Sequence, residues 1–338
     1  MLRVGIIGTG RISDWVLKGA AQDPRIKVNA VCSRTVEAAE AFVQRNSLAE
    51  GARIYTSVEE MATDPDVDAV YVGTPNQTHC SYTKICLKAG KHVLCEKPLA
   101  VNAAEGREMV AAAKESGCLL MEAMVSTLNP NFRAAAERIA EIAPIRNYIS
   151  SYCQYSSKYD ALKKGVVASC FQPGTAGAVR DIGVYVIYPL VALFGRPQTV
   201  RGNLRTFKTE EGVSDVHGTA FLGYEGMDAT ITWSKICDSF VPTEISGEQG
   251  NLVLDEIHIA RKAELIPHTA PSSGQGPKAG RTVISEGLPY NEYYYEFKEF
   301  ADLVEQGKTE SEVNSLQTSL TALEVIDEIL SCQSVCLK

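Results

Sequence analysis

Met1-Leu2-Arg3-Val4-Gly5-Ile6-Ile7-Gly8-Thr9-Gly10-Arg11-Ile12-Ser13 decides how the rest of the chain is read. A short apolar run, Leu2–Ile7, ends in Gly8-Thr9-Gly10, and Arg11–Ala21 then reads as a helix with Ile12, Trp15, Val16 and Gly19 on one face. A helix start presents backbone N–H groups that have no partner inside the helix, which suits a phosphate. Gly8 permits the tight turn, and Gly10 lets the backbone approach a pyrophosphate, with Thr9, Arg11 and Ile12 beside it. The third position of the G-x-G-x-x-G/A pattern is Ser13, a looser match. Any strand-to-helix turn can use two glycines, so the reading depends on the hundred residues downstream of the turn.

Those residues alternate between two kinds of segment. Val28–Cys32, Arg53–Tyr55, Asp68–Val72, His92–Cys95 and Cys118–Met121 read as strands. Between them, Thr35 caps a helix over Val36–Arg45 and Ser57 caps a turn of helix through Met61. Helices over His79–Ala89 and Ala103–Glu115 are stopped by Gly90 and Gly117. Short apolar strands joined by amphipathic helices demand parallel pairing and right-handed crossovers, hence a doubly wound sheet binding its ligand beyond the strands' carboxyl ends.

After residue 122 the pattern changes. Helices near Asn131–Ile142 and Asp181–Phe194 interrupt candidate strands Ile145–Tyr155, Thr199–Thr206, Asp215–Tyr224, Met227–Ser234, Pro242–Gly247, Asn251–Asp255 and Ile257–Ile266. Ala270–Arg281, rich in Pro, Gly and Ser, reads as a mobile surface loop. Helices over Asn291–Glu305 and Ser315–Leu330 close the chain. The expectation is an α/β protein. Residues 1–122 form the dinucleotide-binding parallel sheet. Residues 123–338 form an α+β domain with a large, mostly antiparallel open sheet, for substrate binding and oligomerisation.

Composition narrows the function. At 338 residues the chain suits about two domains. A net charge of −8 argues against wholesale nucleic-acid binding. No apolar run approaches the ~18 residues of a membrane span. Cys32, Cys86, Cys95 and Cys118 sit inside apolar patterns, as reduced thiols do in a cytoplasmic protein. Cys332 and Cys336 share a helical face but lack further ligands, and His79, His92, His217, His258 and His268 form no H-x-x-x-H set, so no metal site is expected.

The chemistry gathers at strand ends. Cys32-Ser33-Arg34-Thr35 carries no carboxylate for ribose hydroxyls; a hydroxyl with a guanidinium fork suits a 2′-phosphate, favouring NADP over NAD. A helix N-terminal turn with a solvated Arg would look the same. In Thr74-Pro75-Asn76-Gln77-Thr78-His79, Asn76 could bond the nicotinamide ribose or the substrate, or simply share the turn with Pro75. Glu96-Lys97-Pro98 follows the fifth strand, so Lys97 reaches the crevice; a structural Glu96–Lys97 ion pair is the alternative.

Together, Gly8-Thr9-Gly10-Arg11-Ile12, Thr74-Pro75-Asn76-x-x-His79, Gly90-Lys91-His92-Val93-Leu94-Cys95-Glu96-Lys97-Pro98 and Asp181-Ile182-Gly183-Val184-Tyr185 resemble the glucose–fructose oxidoreductase / inositol dehydrogenase / rhizopine catabolism (Gfo/Idh/MocA) family along the whole chain. Tyr185 stands where the inositol-dehydrogenase-like branch has His, as in the dimeric dihydrodiol dehydrogenase-like branch. The resemblance implies a Rossmann domain, Lys97 and Tyr185 as catalytic pair, and Asp181 nearby to position substrate. It also implies cofactor contacts from Gly8, Thr9, Gly10, Arg11, Ile12, Ser33, Arg34, Thr74, Pro75, Asn76, His79, Glu96 and Lys97, and a cis Lys97–Pro98 peptide.

The chemistry is coherent. A free phenol, with a pKa near 10, is a poor base at neutral pH, and a nearby ammonium lowers that value. Lys97 would thus tune Tyr185 to give or take the proton accompanying hydride transfer. Asp181 alone could be an N-cap, and Tyr185 alone a core aromatic. The expected function is a cytoplasmic NADP-dependent (NAD possible) oxidoreductase. Its substrate would be a sugar, polyol or dihydrodiol-type hydroxy/oxo compound, and it would form a homodimer or homotetramer through the second sheet. A catalytically silent cofactor-dependent sensor on this fold is the alternative, and keeping Lys97 and Tyr185 argues against it. Tyr155, Tyr159, Phe171 and Trp233 are the candidates for substrate specificity.

Overall fold

The computed structural model describes residues 1–48, 51–268 and 280–337. The first strands and helices are β1 (Leu2–Ile7), α1 (Arg11–Ala20), β2 (Ile26–Cys32), α2 (Val36–Arg45), β3 (Arg53–Tyr55), α3 (Val58–Thr63), β4 (Ala69–Val72), α4 (His79–Lys88), β5 (His92–Glu96), α5 (Ala103–Ser116) and β6 (Leu120–Ala123). All six strands pair in parallel, in the order β3-β2-β1-β4-β5-β6. Strands covered on both faces must be apolar at nearly every position, and β4 (Ala69-Val70-Tyr71-Val72) is buried throughout. The expected punctuation is present. Thr35 accepts from the Ala38 N–H and Ser57 from the Glu60 N–H, and Gly117 closes α5 at φ +66°.

The second group comprises α6 (Val125–Leu128), α7 (Pro130–Glu137), α8 (Ile139–Ile142), β7 (Ile145–Cys153), α9 (Ser157–Leu162), α10 (Val184–Phe194), β8 (Thr199–Thr209), β9 (Gly212–Tyr224), β10 (Met227–Ser234), β11 (Thr243–Gly247), β12 (Gly250–Leu254), β13 (Ala263–Pro267) and β14 (Thr282–Val283). With β15 (Gln333–Leu337) these strands form a nine-stranded sheet, β14-β13-β12-β11-β7-β10-β9-β8-β15. It is mostly antiparallel; β7–β10 and β8–β15 are its parallel pairs. The chain ends through α11 (Tyr294–Glu305), α12 (Leu316–Leu330) and β15.

The chain divides into one compact unit of residues 1–125 with 289–323 and another of 126–288 with 324–337. A single cut at 122 thus differs from the fold: α11 returns to the first unit, where Arg25 bonds Asp302 (2.7 Å) and Glu305 (3.0 Å). The expected helix over Asn131–Ile142 is two short helices, because the turn loosens at Arg138. Cys336 lies in β15 rather than on a helix, so it shares no helical face with Cys332. The stretch expected to be a mobile loop lies outside the described residues from 269 to 279.

Candidate functional site

In the first unit the strand order reverses between β1 and β4, which leaves their carboxyl ends side by side next to β5. Gly8 turns there at φ +101°, and a Cβ on it would sit 2.3 Å from the Gly73 carbonyl oxygen, so only glycine lets the two strand ends come this close. Ser13 is fully buried and donates to the Gly8 carbonyl (2.8 Å), so the departure from the usual third glycine is a brace for the turn. Gly10 caps the ten-residue α1 with no side-chain acceptor, and the space where its Cβ would stand is open. Arg45 reaches the turn from α2, bonding Thr9 O (2.7 Å) and Asp14 Oδ1 (2.9 Å). That offsets the one acidic charge in the first turn of α1. An uncapped helix start with open space beside it fits a pyrophosphate.

Around this turn stand the other expected contacts. Thr9 and Ser33 share a hydroxyl–hydroxyl bond of 3.0 Å, while Arg34 and Arg11 are exposed. Ile12, Thr74 and Asn76 are half-buried and Pro75 is exposed. His79 is placed differently from its expected role as a cofactor contact. It is fully buried, its Nδ1 2.9 Å from Pro98 O and its Nε2 2.8 Å from Thr74 O. Both ring nitrogens thus face the chain's own carbonyls, tying the loop after β4 to the loop after β5. Burial pushes its pKa down.

Lys97 is half-buried at the end of β5, and the Lys97–Pro98 peptide is cis. Glu96 is buried; its carboxylate accepts from the Tyr71 hydroxyl (2.7 Å) and from the Lys97 backbone N–H (3.1 Å). Two further carboxyls lie within electrostatic reach of Glu96 and Lys97. Burial raises Glu122, whose Oε1 accepts from the Leu99 N–H (2.9 Å), to about 7. Burial, then repulsion from Glu96 and Glu292, raises Glu296 well above the carboxylate range.

In the second unit Asp181 and Tyr185 lie at the start of α10. The turn Val179–Gly183 is a π-helical stretch rather than an ordinary cap, so Asp181 is inside the helical ladder, its N–H donating to Gly177 O (3.0 Å). A Cβ on Gly183 would stand 3.0 Å from the Trp233 indole. Tyr185 is half-buried, edge-on to Tyr152 at 5.5 Å, and Tyr152 stacks on His258 at 4.3 Å. Lys235 bonds Asp181. Trp233 and Phe171 have no exposed surface and are core rather than specificity residues; Tyr159 is half-buried, and Tyr155 is exposed and bonds Asp160 (2.8 Å).

Comparison with known proteins fits this geometry. Residues 2–124 match the model of the oxidoreductase family with an NAD-binding Rossmann fold, and residues 133–253 match the Gfo/Idh/MocA C-terminal domain. The chain belongs to the Gfo/Idh/MocA oxidoreductase family. It is 39% identical over 329 residues to scyllo-inositol 2-dehydrogenase (NADP(+)) IolU of Bacillus subtilis, covering 97% of this chain and 96% of that protein. It is 28% identical to trans-1,2-dihydrobenzene-1,2-diol dehydrogenase of Xenopus laevis, with 96% of each covered. Among solved structures, the 3-ketoreductase KijD10 of Actinomadura kijaniata with NADP and TDP-benzene superposes with a TM-score of 0.83 at 25% identity, over 100% of this chain and 99% of that one. Levoglucosan dehydrogenase with NADH and levoglucosan shares the fold, with a TM-score of 0.84 at 21% identity over 97% and 96%. The protein is an NAD(P)-dependent oxidoreductase of this family.

Sequence reading did not single out Arg45, Glu122 and Glu296 of the first unit, or Lys235 and His258 beside Asp181 and Tyr185 in the second. All five lie far from any motif. For Glu122 the signal was available: a carboxylate inside the apolar strand Leu120-Met121-Glu122-Ala123 needs a reason to be there. Lys235, straight after the apolar end of β10, carried a similar but weaker one. Among the described residues no His/Cys/Asp/Glu group has the arrangement of a metal site, and no helix is long and apolar enough to cross a membrane.

Proposed function

We propose that this protein is a cytoplasmic, NADP-preferring dehydrogenase or reductase of a sugar, cyclitol or dihydrodiol-type substrate. Tyr185 would transfer the proton and Lys97 would tune it. The observation that carries the reading is the shared edge of the first sheet, where the uncapped start of α1 and Lys97 stand one strand apart on either side of β4. When bound, the nicotinamide supplies or accepts the hydride equivalent. The rest falls to the chain. The N–H groups of Gly10, Arg11 and Ile12 would hold the pyrophosphate, and Ser33 and Arg34 the 2′-phosphate. Thr74, Pro75 and Asn76 would border the nicotinamide ribose. Glu96 would orient Lys97, whose ammonium favours the phenolate of Tyr185. Asp181 would bind a substrate hydroxyl. The named activities of the relatives, on an inositol and on a dihydrodiol, support a ring carrying vicinal hydroxyls. The half-exposed row Ile149 and Phe221 on the second sheet supports a homodimer or homotetramer built through that face.

The decisive experiment compares Tyr185→Phe and Lys97→Ala with the parent. Each should lose about a hundredfold or more in kcat, while NADPH fluorescence shows cofactor still binding. Turnover within a few-fold of the parent in either variant would refute the assignment.

A further inference from the structure

The second unit contains an ion pair, its lysine buried and its aspartate 30% exposed, that proton transfer by Lys97 and Tyr185 does not by itself require. Lys235 follows β10, and its side chain is only 9% exposed. Its backbone is pinned on both sides, the N–H donating to Val216 O (2.9 Å) and the carbonyl accepting from the Ser156 N–H (3.0 Å). Ser234 Oγ accepts from the Ile236 and Cys237 N–H groups (3.1 and 3.2 Å), turning the chain away immediately afterwards. The ammonium bonds Asp181 Oδ2 and lies 5.5 Å from the centre of the Phe171 ring. A half-buried ion pair is weak ground for stability, and an apolar side chain would cover Phe171 at least as well. The pairing therefore points to Asp181 itself.

Asp181 stands four residues before Tyr185, through the π-helical turn into α10. An unbalanced carboxylate one helical turn away would oppose ionisation of the phenol. We propose that Lys235 is a positioning residue for the reaction: by holding and neutralising Asp181 it keeps that carboxylate from opposing proton release by Tyr185. The inference rests on Tyr185 being the proton-transferring group. The titratable groups beside its ring include Tyr152 from β7 and His258, which has Glu256 3.6 Å away. Around the pair are Cys170 and, more distantly, Lys158 of α9; Arg180 belongs to the π-helical turn itself, and Asp215 accepts from the Val179 N–H (2.7 Å) and interacts with Arg180. All stay in place when Lys235 alone is changed.

The test reads the phenol directly. Protein without cofactor, labelled with 13Cζ-tyrosine, is titrated by NMR, and the Tyr185 resonance is identified by its loss in Tyr185→Phe. Lys235→Met should raise the Tyr185 midpoint by about one pH unit. Asp181→Asn, which leaves the ammonium unbalanced, should lower it. Lys235→Met/Asp181→Asn should return it close to the parent, and Lys235→Arg should leave it there. The kcat–pH profile of Lys235→Met should move to alkaline pH with about a tenfold loss at neutral pH. An unchanged midpoint in Lys235→Met, or one that the double variant fails to restore, overturns the proposal. If Lys235→Met fails to fold, Lys235→Gln is titrated in its place; the same rise supports the proposal and an unchanged midpoint overturns it. Parent-like turnover in Tyr185→Phe would sink the underlying reading without altering these midpoints, so the two failures are distinguishable.

Discussion

At the scale of single residues, the proposed preference for NADP turns on two adjacent side chains. Ser33 is held by Thr9, so its hydroxyl is fixed at the end of β2. Arg34 is exposed and makes no ion pair among the described residues, so its guanidinium is available to a phosphate and costs nothing to withdraw from a partner. A two-point guanidinium–phosphate bond contributes about 1.5–3 kcal/mol. Arg34→Ala should therefore weaken NADP binding by at least about tenfold and leave NAD binding within a few-fold, as measured by fluorescence titration of each reduced cofactor. Equal losses for both cofactors would mean that Arg34 does not read the 2′-phosphate. Their position was legible in the sequence because the end of the second strand is a fixed address in a doubly wound sheet. His79 was legible as a motif and misplaced in role. Spacing shows that a histidine lies beyond the fourth strand, but not that both its nitrogens face carbonyls of its own chain.

At the scale of elements, β5 ends on, and β6 carries one residue before its end, a carboxyl that the sheet buries. Glu122 pairs in register with Cys95, one residue before Glu96. Its carboxyl ionises at about 7 in the folded protein, against an ordinary 4.5 in the unfolded chain. The sign follows from proton counting. Below pH 4.5 both states hold the proton and the group is neutral to stability. Between 4.5 and 7 the unfolded state has released it while the folded state keeps it, so stability falls as pH rises, by up to about 3 kcal/mol, and levels off above 7. Glu122→Gln keeps an acceptor for the Leu99 N–H and removes the titration. In urea denaturation it should therefore be more stable than the parent at pH 8 by up to that amount, and indistinguishable at pH 4. A constant difference across that range would show that burial does not govern this carboxyl. The helices and strands of the first unit were readable because caps such as Thr35 and Ser57 and stops such as Gly117 act locally. What was not readable is set by distant packing. The π-helical turn Val179–Gly183 lies against Trp233 from another strand. The edge strands Thr282–Val283 and Gln333–Leu337 are short or polar and exist because a neighbour offers its backbone.

At the scale of the whole molecule, composition alone separates two sheets with different needs. The parallel sheet buries both faces, whereas the nine-stranded sheet alternates, so its register decides what water meets. Val253, Glu244, Ile149, Thr230, Phe221 and Arg201 align as one row across β12, β11, β7, β10, β9 and β8. Their strand neighbours Leu252, Ile245, Tyr148, Ala229 and Leu222 are buried on the opposite face. Phe221 is 47% exposed and Ile149 39%, flanked by threonines and by Arg201 and Glu244. That is an apolar centre with a polar rim, the composition of a face that meets another copy. A two-fold axis through the row would bury both aromatic rings at about 25 cal/mol per Å² of apolar surface withdrawn from water, and a stable dimer needs roughly 800 Å² from each partner. Sedimentation equilibrium at micromolar concentration should therefore report a dimer or a multiple of it. Phe221→Glu should shift the population to monomer with circular dichroism unchanged, because the side chain leaves the core of its own sheet untouched. A parent protein that sediments as a monomer at every concentration would leave this face to water, and the row would then need another explanation than self-association.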